Sequence, residues 1–154
     1  MKNVFIFDFD GVIADSLDVV VPAYNDIAAD FGLNPVASKE EFTELFNGNL
    51  YDGLQEWGLS SEGLESFLKR LSDRILEDIE NIPLFDHMDR ILERLFDSGF
   101  EVLIITSNTS RIINNFLRYR GVTQVKEVLG VEDGKSKVDK INKVKQRYRE
   151  AGIY

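Results

Sequence analysis

NVFIFDFDGVIADS, residues 3–16, opens on an apolar run rich in aromatic and β-branched residues and closes on a loop rich in carboxylates. The run at 3–7 shows no alternation of polar and apolar residues. That is the pattern of a strand covered on both faces, which belongs to a parallel sheet. A second run of the same kind, FEVLII at 100–105, ends in Thr106, Ser107 and Asn108, and residues 124–129 predict a third strand. Helical periodicity fills the intervals, at 86–97, 109–119 and 136–150, and Gly99 and Gly121 stand where the first two of these helices should stop. Strands alternating with helices predict a doubly wound α/β fold with a parallel sheet. Ile153 and Tyr154 read as the first step of a fourth strand.

The block between Ser16 and Asn81 departs from this alternation. It carries no strand signal, only helical patterns. Ser16 is placed to cap a helix whose apolar positions are Val20, Tyr24, Ile27, Ala28 and Phe31. Ser38 and Glu41 form a capping box ahead of Phe42, Leu45 and Phe46. A short helix spans 50–57, and Ser60 or Ser61 opens a longer one to about residue 79. The chain therefore divides into an α/β core, residues 1–15 and 81–154, and an inserted helical segment, residues 16–80.

Bulk composition narrows the function. A chain of 154 residues with 44% hydrophobic and 29% charged residues fits one compact domain, or a small core with an insertion. The absence of cysteine excludes a disulfide framework, a zinc–thiolate site and a thiol nucleophile. A net charge of −9 opposes binding to nucleic acid and to anionic membranes. No segment approaches the roughly 20 apolar residues of a membrane span, and no signal-peptide pattern opens the chain, so a cytoplasmic location is expected.

In open α/β sheets, ligands bind at the carboxyl ends of the strands. Asp8 and Asp10 fall there after the first strand, Thr106, Ser107 and Asn108 after the second, and Lys135 in the loop after the third. Two carboxylates at i and i+2 on extended chain share a crevice and repel each other, which invites a cation. Mg²⁺ takes oxygen ligands, commonly one or two carboxylates with substrate phosphate completing the shell. Gly11 permits a backbone turn barred to other residues. Hydroxyls and N–H groups opening a helix, as at Ser107 and Asn108, suit an anion, and Lys135 adds a mobile positive charge. The two carboxylates and a phosphomonoester dianion together carry about −4, of which Mg²⁺ and Lys135 return about +3. Without the metal, an anionic substrate would meet bare carboxylates, so metal dependence follows from this reading. The remaining basic residues between Lys135 and Arg149 read as a solvated helix face, and His87 as a surface or capping residue.

These residues carry a resemblance. DFDGVIADS at 8–16 is similar to the first motif of the haloacid dehalogenase superfamily, LIITSN at 103–108 to its second, and GKSK at 134–137 to its third. The resemblance is to the phosphatase branch, near phosphoglycolate phosphatase and β-phosphoglucomutase-like members, and it spans essentially the whole chain. It implies a Rossmann-like core with a helical cap inserted after the first strand. It implies Asp8 as a nucleophile that forms an aspartyl-phosphate, and Asp10 as the acid that protonates the leaving alcohol and then activates water. The Asp8 side chain and the Asp10 backbone carbonyl would hold Mg²⁺. Ser107 would hydrogen-bond the transferring phosphoryl group beside Thr106, and Lys135 would neutralise it, with Lys137 as the other lysine in reach. The implied substrate is a small phosphorylated metabolite. A mutase that returns the phosphoryl group, or a catalytically impaired phosphate- or partner-binding module, are the alternatives.

The third of these is motivated by a departure from the family's pattern. Its fourth motif, an acidic pair after the next strand, completes the metal site and has no counterpart before Tyr154. Glu132 and Asp133 are the acids that could substitute. A sheet edge beside the first strand or its neighbour is expected to be open, to be covered by self-association or by a missing C-terminal segment.

Overall fold

The computed structural model describes residues 3–45, 50–134 and 136–154, with the side chains of 50–52 left aside. Phe46 and Lys135 lie outside the described residues. The chain divides into two compact units, one made of Met1–Asp15 with Ile82–Tyr154, the other of Ser16–Asn81.

The first unit is built on three parallel strands in the order β1 (Val4–Phe7), β2 (Glu101–Ile105), β3 (Val125–Leu129). Val4 pairs with Glu101 and Phe7 with Ile104, and on the other side Ile105 pairs with Leu129. Central β2 is buried from Val102 to Ile105, as an unbroken apolar run should be when helices cover both faces. Alternation along the strands sorts the residues between those faces. Val4, Leu103, Ile105 and Leu129 pack with Val144, Ile141 and Tyr148, residues of or beside helix α7 (Lys137–Arg147), and with Ile153. Phe5 instead stacks on Tyr154 at 5.2 Å between ring centroids and meets the edge of Phe100 at 5.0 Å. Two further helices serve the sheet, α5 (Met88–Asp97) and α6 (Ser110–Arg120). Helix α6 buries Ile112, Ile113, Phe116 and Leu117, and Phe116 meets Phe9 edge-on at 5.0 Å.

Residues 152–154 line the edge of β1. Val4 N–H donates to the Gly152 carbonyl at 2.9 Å, Tyr154 N–H to the Val4 carbonyl at 3.0 Å, and Ile6 N–H to the Tyr154 carbonyl at 2.9 Å. Residues 152–154 thus run parallel to β1 as the sequence pattern suggests, with Val4 opposite Ile153. The basic helix begins and ends inside its expected limits, with Ser136 as N-cap accepting from Asp139 N–H at 3.1 Å.

The regular elements of the second unit are helices among its described residues, chiefly α1 (Leu17–Ala28), α2 (Lys39–Leu45), α3 (Leu50–Glu56) and α4 (Ser61–Glu77). Its core is aromatic. Tyr24 stands edge-on to Phe42 at 5.6 Å and to Phe67 at 5.8 Å, and Phe67 also meets Phe31 at 5.2 Å. Burial, with help from the nearby Glu41 charge, pushes the Tyr24 phenol up to about 12, so it stays a neutral donor to the Asn34 carbonyl at 3.1 Å. Ser60 is the residue that caps α4, accepting from Gly63 N–H at 3.1 Å. The capping box at Ser38 is shifted by one residue on its return leg. Ser38 Oγ accepts from Glu41 N–H at 3.1 Å, whereas Glu41 Oε2 accepts from Ala37 N–H at 2.6 Å. No helix among the described residues is long and apolar enough to cross a membrane.

Leu103 has no exposure and sits in the middle strand. Its truncation to alanine should therefore cost about 2–5 kcal/mol, by lost transfer energy plus the residual cavity. A urea midpoint shift of less than a quarter of that, at unchanged slope, would show that the sheet is not the stabilising core of this unit.

Candidate active site

Parallel pairing brings the loops after β1, β2 and β3 to one edge of the sheet, since each strand ends at that edge. The first of these loops is wound tightly. The Phe9 carbonyl accepts from Val12, Ile13 and Ala14 N–H at 3.2, 2.9 and 3.1 Å. Gly11 takes φ +75°, the left-handed value the sequence reserves for it. Beyond the turn, Ala14 pairs with Leu84, while Asp15 N–H donates to the Pro83 carbonyl and Phe85 N–H to the Ile13 carbonyl, both at 3.0 Å. This closure fixes where the loop bearing Asp8 and Asp10 begins and ends.

Asp8 follows directly on β1. One carboxylate oxygen, Oδ1, accepts from Phe9 N–H at 2.8 Å. The other, Oδ2, receives the Lys137 ammonium in a short ion pair. The two residues stand 129 positions apart in sequence. Both are partly solvated, and a surface pair of this kind contributes only about 0–1 kcal/mol to folding. Its significance is the charge it places beside Asp8. Asp10 is exposed and bridges to Ala14 within the turn.

The loop after β2 is held from several directions. Thr106 has no exposure; its N–H donates to the Leu129 carbonyl at 3.1 Å and its Oγ1 accepts from Asn108 N–H at 3.0 Å. Asn108 Oδ1 accepts from Thr109 N–H at 3.1 Å. Ser107 is half-buried and has no hydrogen-bond partner among the described residues. Of the hydroxyl and amide residues expected to meet an anion, Thr106 and Asn108 each use a side-chain oxygen as acceptor in building the turn. Ser107 makes no such bond among the described residues.

Glu132 and Asp133, the acids that could have replaced a missing metal ligand, are engaged differently. Glu132 Oε1 accepts from Ser110 N–H at 2.9 Å and, in a shorter contact, from Ser110 Oγ, so it caps the start of α6 from the loop after β3. Burial alone would push its carboxyl up. The Ser110 hydroxyl and the backbone donors outweigh that, and the Lys140 charge adds to them, leaving it below the usual carboxylate range. Asp133 Oδ2 accepts from Gly130 N–H at 2.9 Å, and Val131 N–H donates to the Asn108 carbonyl at 2.9 Å. Gly130 leaves no room for a side chain, since a Cβ would lie 2.5 Å from both Glu132 Oε2 and Ser110 N.

Lys140 overturns the reading of the basic helix as a solvated face. It is 1% exposed, and its ammonium donates to the Thr106 carbonyl at 2.5 Å. Burial pushes this ammonium below the ordinary lysine range, while Asp133 and Glu132 oppose the shift. Lys137 and Lys140 are three residues apart, neighbours on one helix face. That i, i+3 spacing, read together with the strand ends, was the available signal for the pair.

No group of three or more His, Cys, Asp or Glu side chains suited to a metal occurs among the described residues. The donors the first loop offers such an ion are the Asp8 carboxylate and the Asp10 backbone carbonyl. Mg²⁺ needs no more from a protein when substrate oxygens and water complete its octahedron, so the residues present fit that ion.

The comparisons agree with this architecture. Residues 5–150 match the family model of haloacid dehalogenase-like hydrolases, and the chain belongs to that family. A phosphoglycolate phosphatase from Synechococcus elongatus is 28% identical over 124 residues, which are 80% of this chain and 58% of the relative. The chain thus spans little more than half the length of that curated relative. Among solved structures, a haloacid dehalogenase-like family hydrolase from Streptococcus pneumoniae superposes with a TM-score of 0.75 at 18% identity, over 99% of this chain and 74% of that one. CbbY from Rhodobacter sphaeroides, in complex with phosphate, gives 0.71 at 14% identity, over 88% and 66%. The fold is the haloacid dehalogenase-like α/β core.

The Glu132 clamp has a pH signature. Its carboxyl is lowered on folding, so the stability it contributes is present above the unfolded glutamate value, about 4.3, and is lost as pH falls through the lower folded value. Glu132→Gln should melt earlier than the unchanged chain at neutral pH, and the gap should close on acidification below that value. A gap in Tm that stays constant from pH 7 to pH 3 would remove the charge from the explanation.

Proposed function

We propose that the chain hydrolyses a small phosphomonoester through an aspartyl-phosphate on Asp8. The observation that carries this is the Asp8–Lys137 ion pair at the carboxyl edge of a parallel sheet, with the unpartnered Ser107 in the neighbouring loop. A carboxylate beside one lysine, with a hydroxyl donor on the adjacent strand end, suits a nucleophile whose target is a phosphorus atom ringed by anionic oxygens.

In the first half-reaction an Asp8 oxygen forms a bond to phosphorus while the bond from phosphorus to the leaving alkoxide oxygen breaks. Asp10 gives that alkoxide its proton. In the second, water attacks the aspartyl phosphorus, Asp10 takes up the water proton, and the phosphorus–Asp8 bond breaks to return the carboxylate and release inorganic phosphate. Lys137 turns from Asp8 to the phosphoryl oxygens as negative charge accumulates there. Ser107 donates to the same group. Mg²⁺ held by the Asp8 carboxylate and the Asp10 backbone carbonyl would neutralise phosphate charge and let a dianion approach a carboxylate, leaving the Asp10 carboxyl for proton transfer. The phosphatase relative and the phosphate-bound neighbour support a phosphorylated metabolite as substrate.

The test is phosphate release from a panel of phosphomonoesters, with and without Mg²⁺. Release should require the metal and fall to background in Asp8→Asn, whose melting temperature should hold. Lys137→Ala should reduce the rate by about 10²–10³-fold. If Lys135→Ala costs more than Lys137→Ala, the neutralising charge belongs to Lys135. Metal-independent release, or full activity in Asp8→Asn, would sink the mechanism. A folded chain that binds orthophosphate without turnover would be a binding module instead.

A further inference from the structure

Lysine is almost never fully buried unless it is paired. Lys140 is buried, and the group it meets is a neutral backbone carbonyl, that of Thr106, at 2.5 Å. An ammonium spent on a carbonyl in the interior is costly where leucine or methionine would fill the same helix position. It is placed at the one backbone joint from which Ser107 departs. Thr106 is already tied by its N–H to Leu129 and by its hydroxyl to Asn108 N–H. The Lys140 bond fixes its last free backbone group, the carbonyl of the peptide that carries Ser107 N–H on its other side. Rotation of that peptide plane would move the Ser107 N–H and carry the Ser107 side chain with it. The lysine stem runs beside Gly134, where a Cβ would come within 3.4 Å of Lys140 Cγ, so the surrounding loop also shapes itself to this side chain.

We infer that Lys140 is a positioning residue for phosphoryl transfer: bonded to the Thr106 carbonyl, it locks the 106–107 peptide so that Ser107 presents its donors to the phosphoryl group. The inference rests on the hydrolase reading above. Lys140 touches no reacting atom. Its ammonium is engaged by the Thr106 carbonyl, and Lys137 is the cation paired with Asp8.

The experiment compares the unchanged chain with Lys140→Met, measuring phosphate release from p-nitrophenyl phosphate with Mg²⁺, orthophosphate affinity by calorimetry, and hydrogen exchange of the Ser107 and Asn108 amides by NMR. Rates are read at a temperature where both proteins are fully folded. The expected result is a fall in kcat of tenfold or more with KM within about twofold, weaker orthophosphate binding, and faster exchange at Asn108. A merely structural lysine would lower Tm and leave kcat per folded molecule and those amides as they were, and that outcome overturns the inference. If the Met variant does not fold, Lys140→Gln, one atom short of the carbonyl, must show the same kcat loss. An unchanged kcat there is equally fatal. Failure of the hydrolase reading is separate and visible in the unchanged chain, as no phosphate release and no orthophosphate binding, and it would take this inference with it.

Discussion

Parallel pairing of β2 with both neighbours is the constraint on which the rest of the α/β unit depends. Two parallel strands cannot be joined by a tight turn, so every connection must cross back along a face of the sheet. The helices then cover both faces, and all the strand ends that follow an apolar run point to one edge. Asp8, Thr106 and the loop after β3 become neighbours for that reason alone. Nothing in their local sequences brings them together.

The loops after β2 and β3 at that edge are held by polar ties. Glu132 reaches back to the start of α6, Asp133 closes its own turn on Gly130, Val131 donates to Asn108, and Lys140 holds Thr106. Such ties are directional, and a hydrogen bond to a charged group contributes about 1.5–3 kcal/mol against about 1 for a neutral one. Directional bonds suit the proposed phosphoryl transfer, because a donor that acts on a reacting group must be aimed as well as present. The ion pair at Asp8 belongs to another category. It is half-exposed and adds little to folding.

Glu132 and Asp133 show how an acid near a strand end can be misread. Two adjacent carboxylates close to a suspected metal site suggest ligands. The structure spends them on N–H groups that would otherwise lack acceptors, one at a helix start and one in a turn. A helix N-terminus attracts a carboxylate as readily as it attracts a phosphate, and here the protein's own side chain has taken the position.

The sequence by itself determined the strands and their parallel arrangement, because uninterrupted apolar runs are stable only between two covering layers. It determined the turn at Gly11, because few other residues adopt a positive φ, and the helical character of residues 16–81, because no period-two pattern competes there. It also singled out Asp8 and Asp10, as two acids after an apolar strand in the order of the family's first motif, as the residues on which the proposed chemistry rests. Tertiary structure alone decided that Lys137 meets Asp8. A helix beginning at Lys137 turns that residue toward the sheet edge, and the phase of a helix relative to its sheet is set by packing of Val144 and Ile141 rather than by the lysines themselves. It alone decided that Lys140 is interior, because a hydrophobicity pattern counts every lysine as solvated and cannot register a carbonyl waiting in the core. Composition records what a side chain prefers. Only the packed chain supplies the partner that overrides the preference.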